Sequence, residues 1–344
     1  MVLTMTSAGL YCEAGDFYID PWKPVERAVI THAHGDHARW GSHAYLCSAE
    51  GEAVLRARLD PAARVQSVSW GESFQLGEAR LSLHPAGHIL GSAQVRVEVR
   101  GEVWVVSGDY KAEPDATCTP FEPIRCHTFI TESTFGLPIY RWRPQREVFD
   151  EIAEWWRANR EAGRASVIFG YALGKAQRLI AGLAGREEGP ILTHGAVERL
   201  NRVYRASGVQ LPATTHAAAA TERADASGAL VVAPPLATNS PWLNRFGAIS
   251  TAFASGWMRV RGTRRRRSVD RGFALSDHVD WPALLAAIEA TGAERVWVTH
   301  GYREPVVRWL RERGLEAEAI ASLWEGETDE EGADDLAAEE TAGP

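Results

Sequence analysis

The chain has no long apolar run, no paired cysteines and no basic leader, and each absence removes a class of protein. None of its 344 residues belongs to a stretch approaching the ~20 apolar residues needed to cross a bilayer, so no membrane-spanning helix and no membrane partner is expected. Met1 to Tyr11 lacks the basic start and apolar centre of a secretory signal. The four cysteines, Cys12, Cys47, Cys118 and Cys126, are scattered and form no Cys-x-x-Cys pair. That spacing argues against a disulfide framework and against a cysteine zinc site, and a cytoplasmic location is the expectation. What is present is ordinary globular composition, 45% hydrophobic and 24% charged, in a chain longer than one typical domain. Two domains, or one domain carrying an insertion, are expected.

Charge is short in one region and crowded in another. The net charge of -8 is produced by the end of the chain: from Glu325 onward there are nine acids and no base, and the remainder is close to neutral. Residues 325–344 also lack aromatic side chains, and they are expected to be an acidic disordered tail. Arg259, Arg261, Arg264, Arg265, Arg266 and Arg267 fall within nine residues. Such a cluster can grip phosphates, although by itself it is equally a solvated hairpin.

Hydrophobic periodicity divides the chain. Up to about residue 135 short strand signals dominate: Ala28 to Thr31, Arg80 to His84, the alternating Ala93, Val95, Val97 and Val99, then Val103 to Val106 and Thr128 to Thr131. From Gln145 strands alternate with amphipathic helices. Helices are expected over Gln145 to Ala162, Lys175 to Ala184 and Val197 to Ala206, with strands at Val167 to Phe169, Ile191 to Thr193 and Leu230 to Val232. That alternation predicts a small α/β unit with a parallel sheet. Strand texture then returns, followed by a helix over Pro282 to Ala290 and a strand at Val296 to Thr299.

The densest chemical signal is Thr31-His32-Ala33-His34-Gly35-Asp36-His37, which places four metal-capable side chains directly behind a strand. Imidazole and carboxylate are the ligands that zinc accepts in a catalytic site. His88, Asp109 and His300 occupy similar positions, each just beyond another strand. Singly, His88 and His300 read as hydrogen-bonded structural histidines and Asp109 as a turn residue. Together with His32, His34, Asp36 and His37 they make five histidines and two carboxylates, too many for one zinc but suited to two ions sharing a carboxylate. His43, His84, His127, His194 and His216 lack such support and read as ordinary histidines.

These motifs resemble the metallo-β-lactamase superfamily, and within it the β-CASP nucleases, which include ribonuclease J and the endonuclease subunit of the mRNA cleavage and polyadenylation factor. Asp20 matches the first motif of the superfamily, the His32–His37 segment the second, His88 the third and Asp109 the fourth. Glu132 in Thr-Glu-Ser-Thr-Phe-Gly, His278 in Ser-Asp-His and His300 in Thr-His-Gly resemble the three β-CASP motifs. The stretches Ser255-Gly256-Trp257-Met258-Arg259 and Ser268 to Phe273 are most similar to the bacterial ligase-associated DNA exonucleases. Pro234-Pro235-Leu236-Ala237 lacks the glycine-rich segment of the RNA-cleaving relatives.

The resemblance implies an α/β fold: a metallo-β-lactamase αββα sandwich over 1–140 and 257–324, interrupted by a small α/β β-CASP domain over 141–256. It implies a metal-dependent nuclease that hydrolyses DNA phosphodiesters, an exonuclease in bacterial DNA repair working with a DNA ligase or helicase system. Two divalent ions, zinc or alternatively manganese, would be held by His32, His34 and His88 on one side and Asp36, His37 and His300 on the other, with Asp109 between them. They would activate the attacking hydroxide, with Asp36 in the catalytic set. His278 would be the general acid, Glu132 would orient it, and Asp20 would position a ligand histidine. Lys175, at the start of a helix, and the arginines from Arg259 to Arg267 are the candidate phosphate contacts, and Trp142, Trp257 and Trp281 the candidate stacking platforms. An RNA-processing nuclease of the same fold, an inactive nucleic-acid-binding scaffold and a thioester or lactam hydrolase are the competing readings.

Overall fold

The computed structural model describes residues 1–219, 226–260 and 269–321. The acidic tail and the arginines at 261 and 264–267 lie outside the described residues. Among those described, no helix is long and apolar enough to cross a membrane. The fold is mixed α/β, and contact density separates it into two units. One is Met1–Arg141 together with the described residues from His278 onward; the other is formed by the described residues of Trp142–Asp277.

Two sheets build the first unit. Thr4–Thr6, Gly9–Cys12, Phe17–Ile19, Arg27–Val29, Ala44–Ser48 and Arg64–Val68 form one six-stranded sheet in chain order, antiparallel at first and parallel from Phe17–Ile19 onward. The second sheet has seven strands in the order Glu316–Ala319, Arg295–Thr299, Thr128–Glu132, Glu102–Val106, Ala93–Val99, Ala79–Pro85 and Phe74–Leu76. Period-two patterning decides which side chains lie between the sheets. Trp104, Val106 and Ile130 join Leu10, Phe17, Ile19 and Val29 of the first sheet in one apolar cluster. Their neighbours Val103, Val105 and Phe129 face the opposite way, into a cluster with Leu284 and Ile288 of the helix Trp281–Thr291 and Val306, Val307 and Leu310 of the helix Arg303–Arg311. Each fully buried residue of this size is worth about 1.5–3 kcal/mol over its exposed state, which makes a one-residue slip of register prohibitive. The helix Trp281–Thr291 begins where the Asp280 carboxylate accepts the Ala283 N–H and ends at Gly292 in the left-handed conformation.

The second unit is one sheet with all pairings parallel, ordered Thr215–His216, Ile191–Thr193, Leu230–Ala233, Ala165–Phe169, Ile249–Ala254 and Arg271–Phe273. The helices Gln145–Glu161, Lys175–Gly182 and Gly195–Ala206 accompany it. In the first of these Val148, Phe149, Ile152, Trp155 and Trp156 are buried, the helical spacing legible in the sequence.

The boundary expected at 256/257 is corrected. Residues 257–277 stay with the second unit, because Arg271–Phe273 pairs in parallel with Ala252–Ala254 and extends that sheet by a strand. The return to the first unit comes at His278.

Candidate metal centre and its buried acid

Strand pairing brings distant residues to one edge of the second sheet. Thr128–Glu132 runs parallel to Arg295–Thr299 with Glu132 opposite Thr299, so Glu132 and His300 emerge side by side although far apart in sequence. Val106 pairs with Ile130, which carries Asp109 to the same edge three residues later. The first sheet adds the turn that follows Arg27–Val29, tied across by the Ala93 N–H donating to the Thr31 carbonyl at 2.7 Å. His37 and Ala38 both return N–H bonds to the His34 carbonyl, which coils the His-x-His-x-Asp-His segment so that its side chains converge.

Two glycines permit this approach. Gly108 sits at φ +57, and a Cβ there would lie 2.6 Å from Thr31. Gly87 sits at φ +72, where a Cβ would meet the Lys111 carbonyl at 2.6 Å. Each precedes a candidate ligand, and in both cases any other residue would displace it.

The seven candidate ligands come together. His32 Nε2 lies 3.0 Å from His34 Nδ1, which is 3.1 Å from His88 Nε2. Asp109 is central, with Oδ2 3.8 Å from His32 Nε2 and 3.5 Å from His37 Nε2, and Oδ1 3.7 Å from His300 Nδ1. Asp36 Oδ2 is 3.4 Å from His37 Nε2. Ligand atoms of His32, His34 and His88, of His32, Asp36 and His37, and of His37, Asp109 and His300 each lie within 4.8 Å of one another. Three of these atoms, Asp36 Oδ1, His37 Nε2 and Asp109 Oδ1, are buried without a hydrogen-bond partner. A buried polar atom left unpaired costs about 1–3 kcal/mol, so three at one point fit a site that receives a cation. A cavity of about 60 Å³ lined by Asp36, His37, Asp109 and His300 adjoins them.

Electrostatics agree. Burial, together with the neighbouring His37, His34 and His88, pushes His32 well below the usual imidazole range. Burial would lower His37 as well, but the carboxylates of Asp36, Asp109 and Asp20 outweigh it and hold this imidazole well above that range. Burial would raise Asp109, yet the neighbouring imidazoles of His37, His278 and His300 keep its carboxyl well below the carboxylate range. The pattern is a pocket that demands positive charge.

Asp20, at φ +45, accepts from the Thr31 N–H at 2.8 Å and the Thr31 hydroxyl at 2.6 Å, and lies 2.7 Å from His37 Nδ1. Glu132 accepts the Tyr110 N–H at 2.9 Å and sits 2.9–3.0 Å from His278 Nδ1 through both oxygens, with both residues buried.

Other expectations fare differently. Lys175 is fully buried, its ammonium 2.8 Å from the Leu275 carbonyl and 2.9 Å from Asp277, so it is not a phosphate contact; a helix start read without its tertiary partners gave the wrong role. Arg259 is exposed, whereas Arg261, Arg264, Arg265, Arg266 and Arg267 lie outside the described residues. Trp281 is buried against Trp309, which removes it as a stacking platform, and Trp142 and Trp257 are half-buried. His194 and His216 accept the backbone N–H two residues on as local caps, and His127 accepts the Val103 N–H from a distant part of the chain.

The sequence did not reveal the supports. Ser92 Oγ accepts the N–H groups of His88 and Ile89, and Ser133 donates to the carbonyls of Thr299 and His300. The only available signal was a small hydroxyl beside each motif.

No protein-family model matches the chain. It is 36% identical over 318 residues to a probable DNA ligase of Opitutus terrae, covering 91% of this chain and 30% of that protein. It is 28% identical over 178 residues to the cleavage and polyadenylation specificity factor 73 of Drosophila melanogaster, covering 49% of this chain and 26% of that one. The chain therefore spans less than a third of the length of either relative. Among solved structures, a protein of unknown function from Enterococcus faecalis V583 aligns with a TM-score of 0.55 at 11% identity, over 88% of this chain and 80% of that one, a likeness of fold alone.

Proposed function

From a chain related to the β-CASP nucleases of the metallo-β-lactamase superfamily, we propose a metal-dependent nuclease that hydrolyses DNA phosphodiesters, acting as an exonuclease in bacterial DNA repair. In this reading the two-sheet unit is the αββα sandwich of that superfamily and Trp142–Asp277 is its β-CASP insertion. The observation that carries the proposal is the convergence of seven ligand side chains on three unpartnered buried atoms.

His32, His34 and His88 would hold one divalent ion and Asp36, His37 and His300 a second, with Asp109 shared. Zinc suits the donors, and manganese is accepted by the same His-plus-carboxylate set. Such ions lower the pKa of water towards neutrality and offset charge on phosphoryl oxygens. The chain's own residues do the rest. Asp20 holds His37 by Nδ1, which directs Nε2 towards Asp36 and Asp109. Glu132 holds His278 by Nδ1 and so orients the ring, which would give a proton to the departing 3′ oxygen and leave a 5′ phosphate.

DNA is supported by the relative described as a probable DNA ligase, in which the matched region is under a third of the length. Ligation consumes a 5′ phosphate, the end this chemistry leaves, so a ligase or helicase repair system is the natural partner. An RNA-processing nuclease is the second reading, favoured by the likeness to the cleavage and polyadenylation factor. The test is digestion of 5′- and 3′-labelled single-stranded DNA and of RNA of the same sequence, with defined zinc and manganese. Stepwise loss of DNA ends is expected; faster, internal cleavage of RNA would reverse the order. Robust thioester hydrolysis without nuclease activity would discard both.

A further inference from the structure

A lysine with no exposed surface needs an account. Lys175 opens the helix Lys175–Gly182, and its Nζ donates to the Leu275 carbonyl at 2.8 Å and to Asp277 Oδ2 at 2.9 Å. Arg178, on the same helix, donates to Asp277 Oδ1 at 2.8 Å and to the Ser276 carbonyl. The carboxylate of Asp277 is thus held by a different cation at each oxygen, and the three side chains are 0%, 3% and 5% exposed. Neither cation is loose. Arg178 is braced by Gln145 Oε1 from the helix Gln145–Glu161, and Gln177 pins the helix start by accepting the Gly174 N–H while donating to the Ala172 carbonyl and to Asn201.

Stability alone does not call for this arrangement. Taking such charges out of water is costly, and apolar side chains of similar volume often stabilise as well or better. A cluster of this kind does, however, tie particular backbone carbonyls to particular side chains, through directional bonds that apolar groups cannot make. Apart from the Arg178 bonds to Gln145, the cation bonds described above land on Leu275, Ser276 and Asp277, the three consecutive residues before His278. On the far side of His278, the Val279 N–H donates to the Tyr110 carbonyl at 2.9 Å, and Tyr110 in turn donates its N–H to Glu132.

We propose that Lys175, Arg178 and Asp277 are positioning residues for His278: they set the backbone that carries the imidazole, and so the angle at which it delivers its proton. This rests on the reading of His278 as the general acid. Lys175 and Arg178 act only through Asp277, and Asp277 acts through its peptide bond to His278.

Leaving-group dependence tests it. The 3′ oxygen of a DNA phosphodiester leaves as an unstable alkoxide and needs a proton, whereas the p-nitrophenyl ester of thymidine 5′-phosphate releases a phenolate that does not. For Asp277→Asn, and for Lys175→Met/Asp277→Asn, which removes one charge of each sign, kcat on single-stranded DNA is expected to fall about 10–100-fold, in line with the cost of misplacing a catalytic group. On the nitrophenyl ester it should fall no more than about threefold, with KM and metal content unchanged; Lys175→Arg should recover most of the DNA activity. Equal losses on both substrates, or loss of metal, would make the cluster merely structural and overturn the proposal. Should these variants fail to fold, Arg178→Gln keeps Lys175 in place and reads the same selectivity.

His278→Ala separates the two ideas. If it loses both substrates equally, the acid assignment fails. If it shows the selectivity and the Asp277 variants do not, the positioning role fails alone.

Discussion

Two buried polar clusters lie in the two units, and they are built on opposite terms. The one in the first unit gathers six histidines, His278 among them, and two carboxylates and leaves three of its atoms without partners. The one in the second unit gathers two cations and a carboxylate and bonds Asp277 at both oxygens. An incomplete buried cluster is tolerated where something outside the chain completes it, and a complete one serves the chain itself. The difference distinguishes a site from a support more surely than charge or burial, which the two share.

The largest effect should come from breaking the incomplete cluster. Asp36→Ala and Asp109→Ala should each lose bound metal, about two ions per chain in the wild type, together with activity on labelled DNA, by at least ~10³-fold if the ions supply several kcal/mol. Full metal content with activity lost would detach these carboxylates from the ions. His278→Ala should instead keep its metal and lose about 10²–10⁴-fold, the usual share of a general acid.

Breaking the complete cluster should show first in stability. Lys175→Met removes one of the two cations described at Asp277 and is expected to cost about 3–5 kcal/mol in urea unfolding of the whole chain. A change under about 1 kcal/mol would mean that the carboxylate is already relieved by other contacts. A smaller effect reaches the first cluster without touching a ligand. Gly108→Ala forces a Cβ against Thr31 and should cost about 1–3 kcal/mol while weakening metal binding, as measured by competition with a chelator. Unchanged affinity would show that Thr31 and Asp20 do not need this close approach.

The smallest effect concerns groups outside both clusters. Burial pushes the Cys47 thiol up to about 12 and the Cys126 thiol up to about 11. Thiolate fraction falls tenfold for each pH unit below the pKa, so both should resist alkylation in the folded protein at pH 8, react faster as pH rises, and react at once on unfolding. Rapid labelling of native Cys47 at pH 8 would contradict its burial.

Much of this molecule was legible before any fold was seen, for reasons that differ by element. The helix expected over Gln145 to Ala162 is found at Gln145–Glu161, since its buried residues recur at helical spacing and need no partner to be read. The short strands Thr4–Thr6 and Arg64–Val68 were not anticipated, because their burial depends on the sheet beside them. The second unit ends later than the sequence texture suggests for the same reason: Arg271–Phe273 carries little strand signal and is a strand through its pairing with Ala252–Ala254.

The sequence alone determined the donor set, because imidazoles and carboxylates at strand ends announce their chemistry by type and spacing. Only the tertiary structure decided which charges face one another. It placed Asp109 among the histidines, set Glu132 against His278, and turned Lys175 from a supposed phosphate contact into the buried partner of Asp277. Side-chain chemistry is a local property of the chain, whereas the field that each group feels is set by neighbours a hundred residues away.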